Sequence, residues 1–589
     1  MKLSKIYANK SFKNIEFNDG LNVIVGEISD RENRELDNHN IGKSLLLEVI
    51  DFLLLKKVSN KKKYFLTQYE IFLEYIFYAE LKLNNGKYLI IRRATEQNSK
   101  ISFKLNNSKL NNFQVDIEDW DYLDIGIDKA ILQLNEYLGF TVLKDWKYRK
   151  MLNYFMRYQN DYTDVFKLSK FQGIHKDWKP MVFQLLGFDG DIFYQKLDLE
   201  EQYEKEKKLL ETLESENQIS SEDEDKVIGL LEIKKNEYNS ISNEIDKFNF
   251  YTQDNEQKDK LVYEIESKIQ EANTQHYTLK YEIDKIEKSL SHEIDHIDME
   301  DITELYEEVK IYFPHELLIE YNKLLDFNKE ITDERNQFLE ENLKKLKEKL
   351  KKVENSLKLL ENEKSILFID ITEKNTYEKF KKYQKDLSRI QADIFIFDSK
   401  LNNINKMSNI QNKINDLEAD INHQVSELKN ELTKQSHKEI RKFFNEFTTK
   451  ILNTPAILSI KTNKNHNIEF EAQYQNKEEL ITTDLAKGYT YKKILCSAFD
   501  TSLLRFYNKE SFYRFVYHDG VLDSLDVRKK EKYLKYIREL VDEYDLQYIV
   551  TAIESEIDTL KDDYKITKEE ICLLLSDKSC KEKLFMQCF

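Results

Sequence analysis

Proline is nearly absent from this 589-residue sequence, with three in all, and glycine is scarce at 12. Disordered chains and turn-rich all-β folds use more of both, so the composition points to long helices. There are four cysteines (Cys496, Cys572, Cys580 and Cys588), and no two form a CxxC pair. That spacing gives no disulfide framework and fits a reducing compartment, so the expected location is cytoplasmic. Long apolar runs are missing too. The stretches at 49–55 and 71–83 are too short or interrupted to span a bilayer, and the opening MKLSKIYANKSFKNIEF has no signal-peptide core. A membrane partner is therefore not expected. The net charge of −17 excludes a uniformly basic nucleic-acid binder but leaves room for a local basic track.

What is abundant is charge, at 34 % of residues, in a chain long enough for two or more structural units. Residues 1–190 have a mixed α/β texture. The apolar run 21–25 ends at Gly26 as a buried strand would, residues 44–55 predict a buried helix, and Asn84-Asn85-Gly86 marks a hairpin. From about 195 to 440 apolar residues recur at alternating steps of four and three. Examples are Ile265, Ile269, Ala272, His276, Leu279 and Ile283; Leu339, Leu343, Leu346 and Leu350; and Ile414, Leu417, Ile421, Val425 and Leu428. This 3.5-residue repeat predicts coiled coil, with His276 as a tolerated polar seam residue. The repeat breaks near 249–257, 292–314 and 370–375, which predicts an antiparallel arm that turns at the middle break and bends at the outer two. Each limb would reach on the order of 140 Å if continuously helical, and folding back at the elbows would shorten it. Residues 445–589 return to α/β texture, with a strand–helix–strand unit over 512–552 suited to a parallel sheet.

Three motifs carry chemistry. Asn40-Ile41-Gly42-Lys43-Ser44 opens the first helix. A Gly-Lys-Ser at a helix start can bind phosphate: the backbone N–H groups and helix dipole face the anion, the lysine neutralises its charge, and the serine hydroxyl can ligate Mg²⁺. The strand-ending Gly26 lies much farther upstream than in the usual loop, so residues 27–39 read as an insertion. The second motif is Phe515-Val516-Tyr517-His518-Asp519, an apolar strand ending in an acid. The third is Leu485-Ala486-Lys487-Gly488-Tyr489, which precedes a helix at 490–507.

The segment Asp519-Gly520-Val521-Leu522-Asp523-Ser524-Leu525-Asp526 aligns without a gap on the ABC-family pattern Asp-Glu-Pro-Thr-Ser-Ala-Leu-Asp. Leu485 and Gly488 match the signature Leu-Ser-Gly-Gly-Glu. In its order of Gly-Lys-Ser, coiled coil, signature-like helix and Asp-ended strand, the chain resembles SMC/RecN/RecF-like bacterial ABC ATPases. More narrowly, the interrupted Walker A and the His-Asp-Gly Walker B look like a family of unknown function found in three-component ABC or Lamassu-like phage-defence operons. The resemblance implies an α/β ABC-type ATPase head assembled from N- and C-terminal halves, with a long antiparallel coiled-coil arm between them. The implied boundaries are 1–190 (Walker A half), 191–311 (outgoing limb), 312–444 (returning limb) and 445–589 (signature, Walker B and D-loop).

The resemblance also implies ATP and Mg²⁺ as cofactors and assigns residues to them. The nucleotide falls to Gly26, Asn40, Gly42, Lys43, Ser44, Leu485, Lys487, Gly488, Ser524 and Asp526. The metal falls to Ser44, Asp519 and Gln159, the last chosen over Gln68 and Gln133. Catalysis falls to Asp519, with Asp523 or His518 standing in for the family's glutamate, whose place holds Gly520. Ile553 and Glu554 occupy the place of the switch histidine. The implied partners are a second copy through the heads, double-stranded DNA, and effector and accessory subunits from the same operon. Two readings stay open: a slowly hydrolysing, DNA-sensing ATPase of an anti-phage complex, or a hydrolysis-deficient, ATP-gated scaffold that recruits an effector. The lysines 344, 345, 347, 349, 351 and 352 read first as a solvated helix face.

Overall fold

A computed structural model of the chain describes residues 1–27, 41–58, 70–115, 117–144, 146–168, 175–217, 223–246, 256–291, 315–367, 374–475, 488–523 and 525–587. The expected breaks near 249–257, 292–314 and 370–375 fall wholly or largely outside these residues, as do Asn40, Leu485, Lys487 and Ser524. The chain divides into two units, one joining 1–199 to 421–589 and one spanning 200–420.

The first unit opens with β1 (Lys2–Ala8), β2 (Ile15–Glu16), β3 (Leu21–Glu27) and α1 (Lys43–Leu53). Next come β4 (Ile76–Lys82), β5 (Tyr88–Ala94), β6 (Lys100–Asn106) and β7 (Tyr122–Gly126). Helices α2 (Ile127–Leu138) and α3 (Tyr148–Phe155), strand β8 (Met156–Arg157), and helices α4 (His175–Leu185) and α5 (Gly190–Asn217) follow. Most of α5 lies in the second unit, with α6 (Glu224–Ile245), α7 (Glu256–Ser291), α8 (His315–Leu367) and most of α9 (Lys374–Thr433). The first unit is completed by α10 (Lys438–Leu452), β9 (Ala456–Thr462), β10 (Ile468–Tyr474), α11 (Tyr489–Phe506), β11 (Phe515–His518), α12 (Val527–Tyr544), β12 (Gln547–Ile553), α13 (Glu554–Ile557) and β13 (Ile571–Ser576).

Two larger sheets build this unit. One is antiparallel, in the order β2-β1-β4-β5-β6-β7. Its β4–β5 hairpin turns at Gly86, whose φ of +80° suits a residue without Cβ. The other runs β13-β3-β12-β11-β8 with every pair parallel. Strands from the two ends of the chain interleave in it, so neither end can form it alone. β11 is buried throughout and β12 nearly so, as expected for a sheet covered on both faces. One apolar core draws on both chain ends, including Val23, Ile24, Leu46, Phe155, Phe499, Val516 and Ile549. The architecture is thus an α/β head assembled from N- and C-terminal halves, with long helices inserted between them.

In the second unit α7 and α8 run antiparallel, linked by Glu266–Lys364 (3.2 Å), His276–Glu354 (3.4 Å) and Glu287–Lys347 (2.7 Å). His276 is thus a polar seam residue with an acidic partner. α9 runs antiparallel to α6, with Lys234–Asp393 at 3.6 Å and an apolar cluster of Leu210, Val227, Ile404, Met407 and Ile414. Yet α9 also runs parallel to α7, because Gln270 bonds Gln391 (3.0 Å) and Lys400 lies 6.0 Å from the Tyr281 ring. The α7–α8 hairpin therefore doubles back beside α9 instead of extending the arm. Lys364, buried near the end of α8, also bonds Gln384 on α9 (2.9 Å). No helix among the described residues is long and apolar enough to cross a membrane.

Candidate functional site

The parallel sheet carries its polar groups at the carboxyl ends of the strands. Gly26 on β3 pairs with Ile553 on β12, Val550 on β12 with His518 on β11, and His518 with Arg157 on β8. The residues just beyond these pairs, Lys43 and Ser44 after β3, Thr551 on β12, Asp519 after β11 and Gln159 after β8, meet at one edge. Ligands of open parallel sheets bind in such a crevice.

Helix α1 starts at Gly42, whose φ is +105°, with no capping side chain and no acidic residue in its first turn. That leaves the positive end of the helix for an anion. Both glycines of the motif lie close to neighbouring side chains. A Cβ on Gly42 would lie 2.7 Å from Leu584 Cβ, and one on Gly26 would lie 2.7 Å from Ile41 Cδ1 and 3.4 Å from the Lys43 ammonium. Leu584 further donates its N–H to Ile41 O (3.2 Å), so the C-terminal segment braces the start of α1.

Across 475 residues of sequence, Ser44 Oγ donates to Asp519 Oδ2 at 2.7 Å. The other oxygen of Asp519 accepts from Thr551 Oγ1 at 2.9 Å, and Thr551 in turn accepts from the Gly520 N–H at 2.7 Å. Asp519 is only 1 % exposed. Burial pushes its carboxyl above the usual range, against the hydrogen bonds from Ser44 and Thr551 and the charge of Lys43, while Asp523 adds to the rise. An acid with a raised folded pKa binds more protons folded than unfolded, so it costs stability as pH rises through that range. Asp519→Asn should accordingly raise the melting temperature of the metal-free protein at pH 7, read by thermal unfolding. An unchanged or lowered midpoint would show that the carboxylate carries no such cost.

Gly520 turns with φ +66°. The place its Cβ would take is 2.6 Å from Asp523 Oδ2 and 2.9 Å from Gln159 Cγ and Nε2. Asp523 and Gln159 thus crowd the point where any side chain at position 520 would begin. Lys493, buried on α11, donates to Gly520 O (2.5 Å) and Asp523 O (3.3 Å). Burial lowers its ammonium pKa, opposed by Asp523, Glu556 and Asp519. Tyr489, at the start of α11, donates from its hydroxyl to Gln159 O (2.9 Å).

His518 corrects an expectation. It is fully buried, and strand alternation turns it to the sheet face opposite Asp519. Its Nε2 lies 3.0 Å from Asp500 Oδ2, and its Nδ1 lies 2.5 Å from the Tyr548 hydroxyl. The network assigns Nε2 the proton, donated to Asp500, with Nδ1 accepting from Tyr548. Burial lowers its pKa against the pull of Asp500. With both ring nitrogens engaged, His518 does not take a proton from water at the site. Asp500 also binds Arg157 in two-pronged fashion, at 2.5 and 2.9 Å, with both side chains fully buried.

Of the other expected groups, Gly488 is the exposed N-cap of α11. Asp526 caps α12 by accepting from Lys529 N. Thr551 and Lys493 were not foreseen. Thr551 has a signal in register, since it stands one residue past the Val550–His518 pair and so level with Asp519. Of the cysteines, Cys496 and Cys572 are free thiols, while Cys588 lies outside the described residues.

Residues 447–589 match the family described as "Uncharacterised protein conserved in bacteria (DUF2326)". The chain is 23 % identical to "Uncharacterized protein YydD" of Bacillus subtilis (strain 168) over 558 residues, 91 % of this chain and 90 % of that protein. Among solved structures it is similar to the Smc head domain with a coiled coil and joint from Pyrococcus yayanosii. That match has 14 % identity and a TM-score of 0.35, and covers 93 % of this chain and 92 % of that one. A Pyrococcus furiosus Smc head domain with an extended coiled coil, bound to the C-terminal domain of ScpA, matches at 13 % identity and a TM-score of 0.32. It covers 98 % of this chain and 93 % of that one.

Proposed function

We propose that the head binds ATP with Mg²⁺ at this crevice, hydrolyses it slowly, and pairs with a second head around the bound nucleotide. The observation that carries the reading is the Ser44–Asp519 contact at 2.7 Å, because it joins the phosphate-loop helix to the acid of a distant strand. A hydroxyl and a buried carboxylate side by side suit Mg²⁺, which takes one or two such groups and keeps several waters. Ser44 and Asp519 would hold the ion, with Gln159 beside them at Gly520. When bound, the ion neutralises charge on the transferring phosphoryl group.

The chain's own residues do the rest. Lys43 and the N-terminus of α1 bind the phosphates. Gly26 leaves room for the Lys43 ammonium. Asp523 stands where a base can take a proton from water, and Gln159 orients that water. In a pair of heads, Gly488 and Asp526 would face the partner's nucleotide. By resemblance, the arm holds or senses double-stranded DNA, and effector and accessory subunits of an anti-phage complex respond to head closure.

The test is ATP hydrolysis by the purified protein, with and without double-stranded DNA, beside Lys43→Ala and Asp519→Ala. Expected is slow turnover lost in both variants, with Lys43→Ala weakening ATP binding at least ~tenfold, about 1.4 kcal/mol. Gly520 in place of a glutamate favours a second reading, a hydrolysis-deficient gate. No turnover, with ATP still causing Lys43-dependent dimerisation, would select it. Neither turnover nor ATP binding would sink both readings.

A further inference from the structure

The face that α11 turns to the sheet is polar where an apolar face would pack more cheaply. Tyr489, Lys493, Ser497 and Asp500 follow one another at steps of four, four and three, which puts them on one side of the helix. Each meets a strand or turn that carries a group of the site. Tyr489 reaches Gln159 O (2.9 Å), and Lys493 reaches Gly520 O (2.5 Å) and Asp523 O (3.3 Å). Ser497 Oγ lies 3.2 Å from His518 Nδ1, and Asp500 grips Arg157. The last two contacts hold rigid strands. The first two hold the loops beyond the strands, where Gln159 and Asp523 sit. The Tyr489 bond is exposed, whereas the Lys493–Gly520 bond is buried, so the Lys493 contact is the one sheltered from competing water.

We infer that Lys493 is a positioning residue that couples the N-terminus of α11 to the Gly520–Asp523 turn. The inference rests on the head pairing proposed above. A nucleotide held by one head meets Gly488 of the other. The resulting shift of α11 reaches the second head's turn through Lys493 and sets the place of Asp523 there. Each site thereby reads the occupancy of its partner before it hydrolyses.

A mixed pair isolates this path. ¹⁵N-labelled Lys43→Ala chain is mixed with unlabelled wild type, and Mg²⁺ with a non-hydrolysable ATP analogue is added. Hydrogen–deuterium exchange is then followed in labelled peptides covering 488–494 and 517–523. At an analogue concentration too low to fill the weakened site of the labelled chain, slower exchange in its turn must come from the partner's nucleotide, through α11 or through Asp526 just past the turn, and the Lys493 variants separate the two. Both labelled segments should slow by ~5-fold or more, the low end of ordinary intersite coupling. In a labelled Lys43→Ala/Lys493→Met chain only 488–494 should slow, and Lys493→Gln serves the same purpose if the methionine variant does not fold. Wild type carrying Lys493→Met alone should keep its KM for ATP and lose roughly tenfold in kcat, a split that a general loss of structure would not give. Failure of 488–494 to slow in the first mixture would refute head pairing itself. If 488–494 slows without the turn, or the turn slows equally without Lys493, pairing survives and the inference falls.

Discussion

Asp500→Ala should destabilise the head by ~3–5 kcal/mol, the usual cost of removing one partner from a buried ion pair. Arg157 and Asp500 are both fully excluded from solvent and share two hydrogen bonds. Burial alone would lower the Arg157 pKa, but Asp500, helped by Cys496 and Tyr162, raises it instead. Alanine would leave the guanidinium, among the described residues, with hydrogen bonds to the carbonyls of Asp161, Asp164 and Val165 and the Tyr154 ring at 5.7 Å, and would take the acceptor from His518 Nε2 as well. The damage would spread, because the two side chains join α11 to β8 and, through His518, to β11. The three tryptophans, at 120, 146 and 178, all lie in the head unit, so denaturant unfolding followed by their fluorescence reads this unit. Asp500→Asn, which keeps an acceptor, should cost clearly less. An alanine variant within about 0.5 kcal/mol of wild type, the range of an ordinary surface change, would mean that the network does not hold the head together.

The same network shows what can be read from sequence and what cannot. A buried strand, a Gly-Lys-Ser helix start and an acid closing a second strand are local patterns, and each stands in the structure where its own residues put it. The direction of a side chain is less local. His518 and Asp519 are adjacent in sequence, yet alternation along the strand sends one into the Arg157 network and the other to Ser44. Thr551 needed the register of β12 on β11, which two separate apolar runs do not specify. Lys493 looked like one cation among 91 lysines and arginines, because its role depends on which side of α11 faces the sheet. In the helical unit the heptads announce that helices pair but not which ones. The parallel run of α7 beside α9 follows from contacts such as Gln270–Gln391, which no single helix's periodicity contains.

Gly520 gives the sharpest test of the site. In the ABC pattern that this segment resembles, a glutamate follows the metal-side aspartate, so Gly520→Glu looks like a repair that should raise turnover. The geometry requires the opposite. An L side chain at φ +66° costs roughly 1–2 kcal/mol in backbone strain before any clash. Its Cβ would then fall 2.6 Å from Asp523 Oδ2 and 2.9 Å from Gln159, so both would have to leave. A second carboxylate would also come close to Asp519, which burial and Asp523 already hold toward the protonated form. Turnover should therefore fall by ~100-fold or more, about 2.7 kcal/mol of transition-state stabilisation, with a lower melting temperature. Gly520→Ala should fall in the same direction, since the clash begins at Cβ. Steady-state kinetics on both variants decide the matter. A glutamate that accelerates hydrolysis would mean that Asp523 is not the base and that the turn rearranges around bound nucleotide. A loss in both would show that the turn needs glycine at this position, as a base moved three residues along would require.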